Sequence, residues 1–366
     1  MSASELVRKE PGRTTERFRS EDPPLLRFRS IGPRSAQHNG PMSQMRAALY
    51  SAVGPAAEVL RIDRMPIPKP GPNQVRVRMA FSGVNPTDVK TRAGWTPRDM
   101  AEFQIPHQDG AGVIDIVGAN VDPARIGERV WVMLAAFDSV YGTAAEYCVV
   151  DVGLVHALPD SVDLALGATL GVPAVTAAHC VLADGPVDGA VVLVHGGSGG
   201  VGRCAIQIAK WAGATVVATA SSDEKRAAAI AAGADYAFDY RDADSAFEIL
   251  EAVGPVNRII EVALAVNLEM DIAVSKSGSV VVTYAADGDD PVIPRRRLMG
   301  ANLTLQFMLL YTLPPAALAA AVSAVESALA DGALTMPPVR YFELEEIVAA
   351  HEAQEGGLSE RVLVRC

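Results

Sequence analysis

Hydrophobic and polar positions fall into stretches of different rhythm along the chain. Residues 1–44 interleave Arg, Ser, Pro and Glu (RKEPGRTTERFRSEDPPLLRFRSIGPRS) with no apolar period, which predicts a disordered tail. Over residues 45–170, short Val-, Ile- and aromatic-rich runs (QVRVRMAFSGV, AGVIDIVG, RVWVML, AEYCVV) are separated by Gly, Pro and Asn, as mostly antiparallel β-strands are. Over 171–310 the rhythm changes. Apolar runs of strand length (AVVLVH, TVVATA, RIIEVAL, GSVVVTY) alternate with longer periodic segments (VGRCAIQIAKWAG, DEKRAAAIAAGA), which predicts a doubly wound parallel sheet with helices on both faces. Residues 311–366 add an Ala-rich helix, the piece VRYFELEEI and a closing strand, RVLVRC, and are expected to rejoin the first unit. The predicted class is α/β.

Composition narrows the function. With 366 residues, 49% hydrophobic and 20% charged, the chain has the length of about two domains. A net charge of −11 and a pI near 5.1 argue against a general nucleic-acid binder, because phosphate affinity needs clustered Lys and Arg. The tail holds eight Lys/Arg against five Asp/Glu, a net of +3, which leaves the remainder at −14. This balance suits a cytoplasmic protein that handles small molecules. The tail is too acidic for a mitochondrial presequence and lacks the apolar core of a secretory signal. Because MRAALY opens the first strand-like run, the native protein is expected to begin at Met45. The apolar stretch from Leu164 to Ala183 has the length of a membrane span, but Gly167, Gly171, Pro173, Thr176 and His179 interrupt it, and no membrane association is expected. Cys148, Cys180, Cys204 and Cys366 show no Cys-x-x-Cys spacing and read as buried thiols.

The strongest local motif is Gly197-x-Gly199-x-x-Gly202, set directly after the apolar run Val191 to Val194 and opening a helix. In that setting Gly197 permits a tight turn, Gly199 lets backbone N–H groups approach a pyrophosphate, and Gly202 allows helix and strand to pack closely. Val201, Ala205, Ile208 and Ala212 recur at helical spacing and give the helix one buried face. The bland alternative is a glycine-rich turn with no ligand. An acid at the end of the next strand would hold a ribose 2′-hydroxyl, but Thr215 to Thr219 runs into Ala220, Ser221 and Ser222. Glu224 is expected to be engaged with Ser221 in a capping box. Small hydroxyls with Lys225 nearby suit the 2′-phosphate of NADPH, although Lys225 also reads as an ordinary solvated lysine.

With these pieces in place the chain resembles the medium-chain dehydrogenase/reductase superfamily and, within it, the zinc-independent quinone oxidoreductases of the zeta-crystallin type. The resemblance spans about Met45 to Cys366. It is carried by SGVNPTDVKTRAG, IPHQDGAGVIDIVGANV, GERVWV, YGTAAEYCVV, ATLGVPAVTAAH, VLVHGGSGGVG, FDYRD, EVALAVNLEMDIAVSKSGSVVV and SERVLV. It implies a GroES-like, mostly antiparallel β catalytic domain and an inserted Rossmann domain, with a cleft between them for nicotinamide and substrate.

Zinc-dependent members of that superfamily take metal ligands from a Cys-His-x-Asp and a Gly-His-Glu segment. Here Asn85-Pro86-Thr87-Asp88 and His107-Gln108-Asp109 stand in their place, with Asn85 for the Cys, Gln108 for the His, and His107 one residue out of register. Amides are poor zinc ligands, so no zinc is expected. Without a Lewis acid, the natural chemistry is hydride transfer from NADPH to a quinone or to the β-carbon of an enone. The resemblance implies Asn85 near the nicotinamide ribose or substrate carbonyl and Thr176 near the nicotinamide. It also implies Gly199, Gly200 and Val201 on the pyrophosphate, and Ser222, Lys225 and Tyr240 around the 2′-phosphate. Arg361 falls where the family has a Gly-Lys pair and keeps the cation. Thr176 as a helix cap, Tyr240 as packing and Arg361 as a surface charge are the plain alternatives.

Two departures bear on the substrate. Lys90 stands where many quinone reductases have a tyrosine, with Trp95 following; it is a candidate donor to a developing enolate or a solvated lysine. Tyr284 follows the fifth strand of the nucleotide unit and is expected to narrow the cofactor pocket. Competing functions are an NADPH-binding protein with little turnover, and an enoyl-thioester reductase that would use Arg295-Arg296-Arg297 as a basic path. A homodimer is expected from the resemblance, through edge strands of the Rossmann sheets, with Leu303 to Leu310 as interface or as a buried strand.

Overall fold

The computed structural model describes residues 43–95, 101–286 and 288–366. The expected tail lies outside them except for Ser43 and Gln44, and Gln44 already belongs to the first strand. The described residues form one compact unit.

β1 (Gln44–Leu49) and β2 (Arg61–Pro66) form an antiparallel pair joined through α1 (Ala56–Val59). The long β3 (Gln74–Gly83) leads into α2 (Pro86–Ala93), and β4 (Asp109–Val117), β5 (Arg129–Val132), β6 (Tyr147–Asp151) and β7 (Val155–Ala157) follow. Every pairing among β3 to β7 is antiparallel, as the short alternating runs predict. The stretch Leu164 to Ala183 becomes two helices, α3 (Leu164–Gly167) and α4 (Gly171–Leu182), the break falling where Gly167 and Gly171 interrupt the run. Nearly all of α4 is buried, which accounts for its uniform apolarity without a membrane. Among the described residues, no helix is long and apolar enough to cross one.

The second unit runs through β8 (Val191–His195), α5 (Gly200–Trp211), β9 (Thr215–Thr219), α6 (Asp223–Ala231), β10 (Tyr236–Phe238), α7 (Ser245–Val253), β11 (Val256–Glu261), α8 (Leu264–Val274), β12 (Ser275–Thr283), α9 (Arg295–Ala301) and β13 (Thr304–Phe307). Its six strands are parallel in the order β10-β9-β8-β11-β12-β13. The order reverses direction between β8 and β11, so the crevice in which doubly wound sheets bind ligands opens at the end of β8.

α10 (Pro315–Ala330) lies in the segment expected to rejoin the first unit, yet it packs on α4 and α5 and buries Val322, Val325, Ala328 and Leu329 in the core they share. The return comes with β14 (Val339–Glu343), α11 (Ile347–Glu355) and β15 (Arg361–Arg365). β15 inserts between β14 and the end of β3, completing a seven-stranded sheet in which only the β14–β15 pair is parallel. The last strand thus places Arg361 two residues along from Leu363, the partner of Gly83, near the start of α2.

Candidate active site

The glycine loop takes the predicted position between β8 and α5, with the roles of its glycines redistributed. The left-handed turn falls at Gly196 (φ 66°), not at Gly197. Gly197 is required by packing, because a Cβ there would lie 2.8 Å from Ala218 Cβ and 3.1 Å from Ala229 Cβ. At Gly202 a Cβ would run into the Gly196 carbonyl oxygen, so the close approach is of helix to loop rather than of helix to strand. Gly199 is the N-cap of α5, and its missing Cβ leaves the first turn, led by Gly200 and Val201, open to an anion. His195 anchors the loop from below. Its Nδ1 meets Thr219 Oγ1 at 2.8 Å and its Nε2 meets Asp271 Oδ1 at 2.9 Å. Burial draws the imidazole pKa down, but the bond to Asp271 and the charges of Asp271 and Glu261 together lift it above the ordinary value.

Beyond β9, Ser222 rather than Ser221 caps α6, accepting from the Lys225 N–H at 3.3 Å, so the Ser221–Glu224 box does not form. Ser221 instead offers its carbonyl to Arg241 Nη2. Ser221, Ser222, Lys225 and Tyr240 are all half-buried around this corner. Sequence reasoning missed two further cations, Arg226 and Arg241, both bound to Asp239 at the end of β10, at 3.0 and 2.7 Å. The FDYRD segment carried the signal, read only for its tyrosine.

Asn85 caps the other wall. Its side chain is buried, with Nδ2 donating to Asp109 Oδ2 at 2.6 Å and Oδ1 accepting from Arg361 Nη2 at 3.1 Å. Asp109 also accepts the Val172 N–H at 2.9 Å, at the start of α4, where a Cβ on Gly171 would strike its carboxylate. Asp88, on the first turn of α2, accepts the N–H groups of Asn85 at 2.7 Å and Gln108 at 3.1 Å. Burial and then the charge of Asp109 push Asp88 up to about 8; burial likewise lifts Asp109 to about 6, held back by Asn85, Val172 and Arg361. Arg361 closes the circuit, since its Nη1 lies 3.4 Å from the position a Cβ on Gly200 would take. One buried guanidinium therefore faces both the Asn85 carboxamide and the head of α5.

Thr176 is buried in the middle of α4, one turn beyond Val172, so it is not a cap. Tyr284 packs on the core beside Cys180 and Cys204, and burial pushes its hydroxyl pKa up. The Lys90 ammonium lies 5.1 Å from the ring centroid of Trp95, which is 64% exposed. His107 adopts a left-handed conformation (φ 78°), and its ring bridges Ser82 Oγ at 2.7 Å and His351 Nε2 at 2.9 Å, reaching the Asn85 network only through Ser82, Thr143 and the Asp109 carbonyl. Arg297, expected as part of a basic path, is ion-paired with Glu269 at 2.6 Å. All four cysteines are free thiols, Cys148 and Cys180 fully buried.

Residues 71–160 match the family described as alcohol dehydrogenase GroES-like domain, and residues 200–327 match the zinc-binding dehydrogenase family. Human quinone oxidoreductase is 30% identical over 84% of this chain and 93% of its own length. A mycobacterial quinone oxidoreductase structure superposes with a TM-score of 0.78 at 26% identity, over 88% of this chain and all of that one; a structure from the same source holds NADPH. A structure titled NAD-dependent alcohol dehydrogenase superposes at 0.80 and 26% identity, over 88% of this chain and all of that one. With a GroES-like sheet, an inserted Rossmann unit and these relatives, the chain belongs to the medium-chain dehydrogenase/reductase superfamily, beside its zeta-crystallin-like quinone oxidoreductases.

Proposed function

We propose that the protein is a zinc-independent oxidoreductase, cytoplasmic and homodimeric, that transfers hydride from NADPH to a quinone or an α,β-unsaturated carbonyl. The observation that carries this is the state of Asn85. The residue standing for a metal-ligating cysteine has its carboxamide bound at both ends, to a carboxylate and to a guanidinium, and its partner position holds another amide, Gln108.

The residues present fit a nicotinamide dinucleotide. Gly199, Gly200 and Val201 would hold the pyrophosphate at the head of α5, with Arg361 supplying positive charge beside Gly200. Ser221, Ser222, Lys225 and Tyr240, joined by Arg226 and Arg241, would surround the 2′-phosphate. Bound there, the cofactor supplies a hydride. Thr176 on α4 and Tyr284 after β12 would bound the pocket, and the second amide hydrogen of Asn85 would orient a substrate carbonyl. Lys90 stays a candidate electrostatic stabiliser at the far end of α2.

The test is oxidation of NADPH and of NADH by the purified chain with 1,4-benzoquinone and with a short cyclic enone, with and without chelator. Turnover insensitive to chelator is expected, with kcat/KM favouring NADPH by about ten- to hundredfold, the worth of charge-assisted bonds to one phosphate. Turnover abolished by chelator would sink the zinc-free reading.

A further inference from the structure

Hydride addition to an enone leaves negative charge on the carbonyl oxygen, and the site must neutralise it. The groups described above do so poorly. Asn85 can orient an oxygen but gives up no proton, Arg361 is committed to Asn85, and Lys90 rests on Trp95.

Tyr311 is different. It lies in the turn Leu310–Thr312 just after β13, yet its hydroxyl reaches across to the catalytic unit and donates to Thr87 Oγ1 at 2.9 Å. Thr87 is on the first turn of α2, two residues from Asn85. The Tyr311 ring packs on Phe137 with centroids 5.2 Å apart, which fixes its approach. Burial makes the phenol hold its proton more tightly than a free tyrosine, so the group stays protonated at neutral pH. Both residues are half-buried. A threonine hydroxyl both donates and accepts, so the bond can reverse direction, turning the phenol proton outward while its oxygen stays bonded.

Resting on the reductase reading, we infer that Tyr311 is the catalytic proton donor for enone reduction and that Thr87 is its relay. As hydride forms the new C–H bond at the β-carbon, the π electrons shift to the carbonyl oxygen. The Tyr311 O–H bond breaks and a new O–H bond forms on the substrate. The enol so produced tautomerises to the saturated ketone. The phenolate takes the Thr87 hydroxyl proton, and Thr87 takes one from solvent water, whose hydroxide passes to the bulk buffer. Quinones need this less, because hydride addition yields an aromatic hydroquinone anion that is stable enough to leave and be protonated in solution.

The experiment compares full-length wild type with Tyr311→Phe, using a cyclic enone and 1,4-benzoquinone as acceptors. The ratio of enone to quinone kcat is expected to fall about a hundredfold or more, the usual worth of a general acid. A second readout needs no cofactor: 4-nitrophenolate, a mimic of the enolate oxygen, is titrated into the cofactor-free protein and should bind about tenfold or more weakly to the variant. Thr87→Val, which keeps the phenol and removes the relay, should lower the same ratio by a smaller factor. An unchanged ratio with unchanged 4-nitrophenolate affinity overturns the inference, as does a collapse of enone reduction in Lys90→Met instead. A wild type that reduces quinone but no enone overturns it while leaving the reductase reading intact; one that reduces neither overturns both.

Discussion

Asp88 shows how a single side chain ties the site to pH. Its carboxyl is buried, accepts two backbone N–H groups and sits near Asp109, and its pKa is raised to about 8. A raised acid binds its proton more tightly folded than unfolded. Its contribution to stability is therefore full at low pH and is lost as pH rises from its ordinary range near 4 through about 8. Asp88→Asn removes this titration but turns an amide NH2 toward a backbone donor. Urea unfolding across pH should show the variant less stable than wild type, with a gap widest below about pH 4 and narrowing steadily toward pH 8.5; a gap that is flat or widens would refute the raised pKa. The His107–His351 pair works the other way. Burial holds His107 well below its usual value and His351 at about 3, so both rings are neutral and the pair weakens only as pH falls from the ordinary histidine range. His107 also carries a left-handed backbone that costs a non-glycine residue about 1–2 kcal/mol, offset by its ring bonds to Ser82 and His351. Comparing the two proteins pH by pH cancels this histidine contribution, which both share.

At the scale of elements, the β8–loop–α5 unit was legible because everything that shapes it is local: an apolar strand, a glycine spacing and a helical face within one short window. Its detail was less so. That Gly202 is needed by the Gly196 carbonyl, and that Gly196 rather than Gly197 takes the left-handed turn, depends on the loop's actual path. Gly202→Ala should destabilise the chain by about 1–3 kcal/mol through overpacking against backbone that cannot yield. It should also weaken NADPH binding by displacing the loop, readable together as a lower Tm and a weaker fluorescence titration; an unaltered Tm would show the loop to be compliant. The Asn85 site was legible in its members but not in its wiring. Asn85 and Asp109 are 24 positions apart and meet because β4 pairs with the end of β3, while Asn85 and Arg361 are 276 apart and meet because β15 pairs with the same end. No periodicity announces such a pairing. The Ser221–Glu224 box failed for a related reason: helix α6 starts one residue later than the motif implies, and tertiary ties from Arg241 to Ser221 and Asp239 hold that corner. Tyr311 gave no local signal at all, since its partner Thr87 lies in the other unit.

At the scale of the molecule, the parallel sheet ends at β13, and among the described residues no strand covers its outer edge. Phe307, the last residue of that strand, is 73% exposed, and Leu309 just after it is 54% exposed. Exposed apolar side chains on an open edge invite pairing, and natural proteins usually blunt such edges with charge, proline or a cover. Neither Phe307 nor Leu309 does so. A two-fold axis beside β13 would pair it antiparallel with its own copy and extend both sheets without leaving a new edge, a closed isologous contact. Tyr311 lies four residues beyond Phe307, on the same excursion of chain, so the proposed dimer contact would also brace the segment that carries the phenol to Thr87. Phe307→Asp places a charge at that edge. Light scattering should give a dimer for wild type and a monomer for the variant, and if the brace is real the monomer should lose enone reduction more than quinone reduction while retaining its Tm. A wild type that is monomeric at the concentrations of the assay would remove the contact, and a monomeric variant with both activities intact would separate the interface from the site.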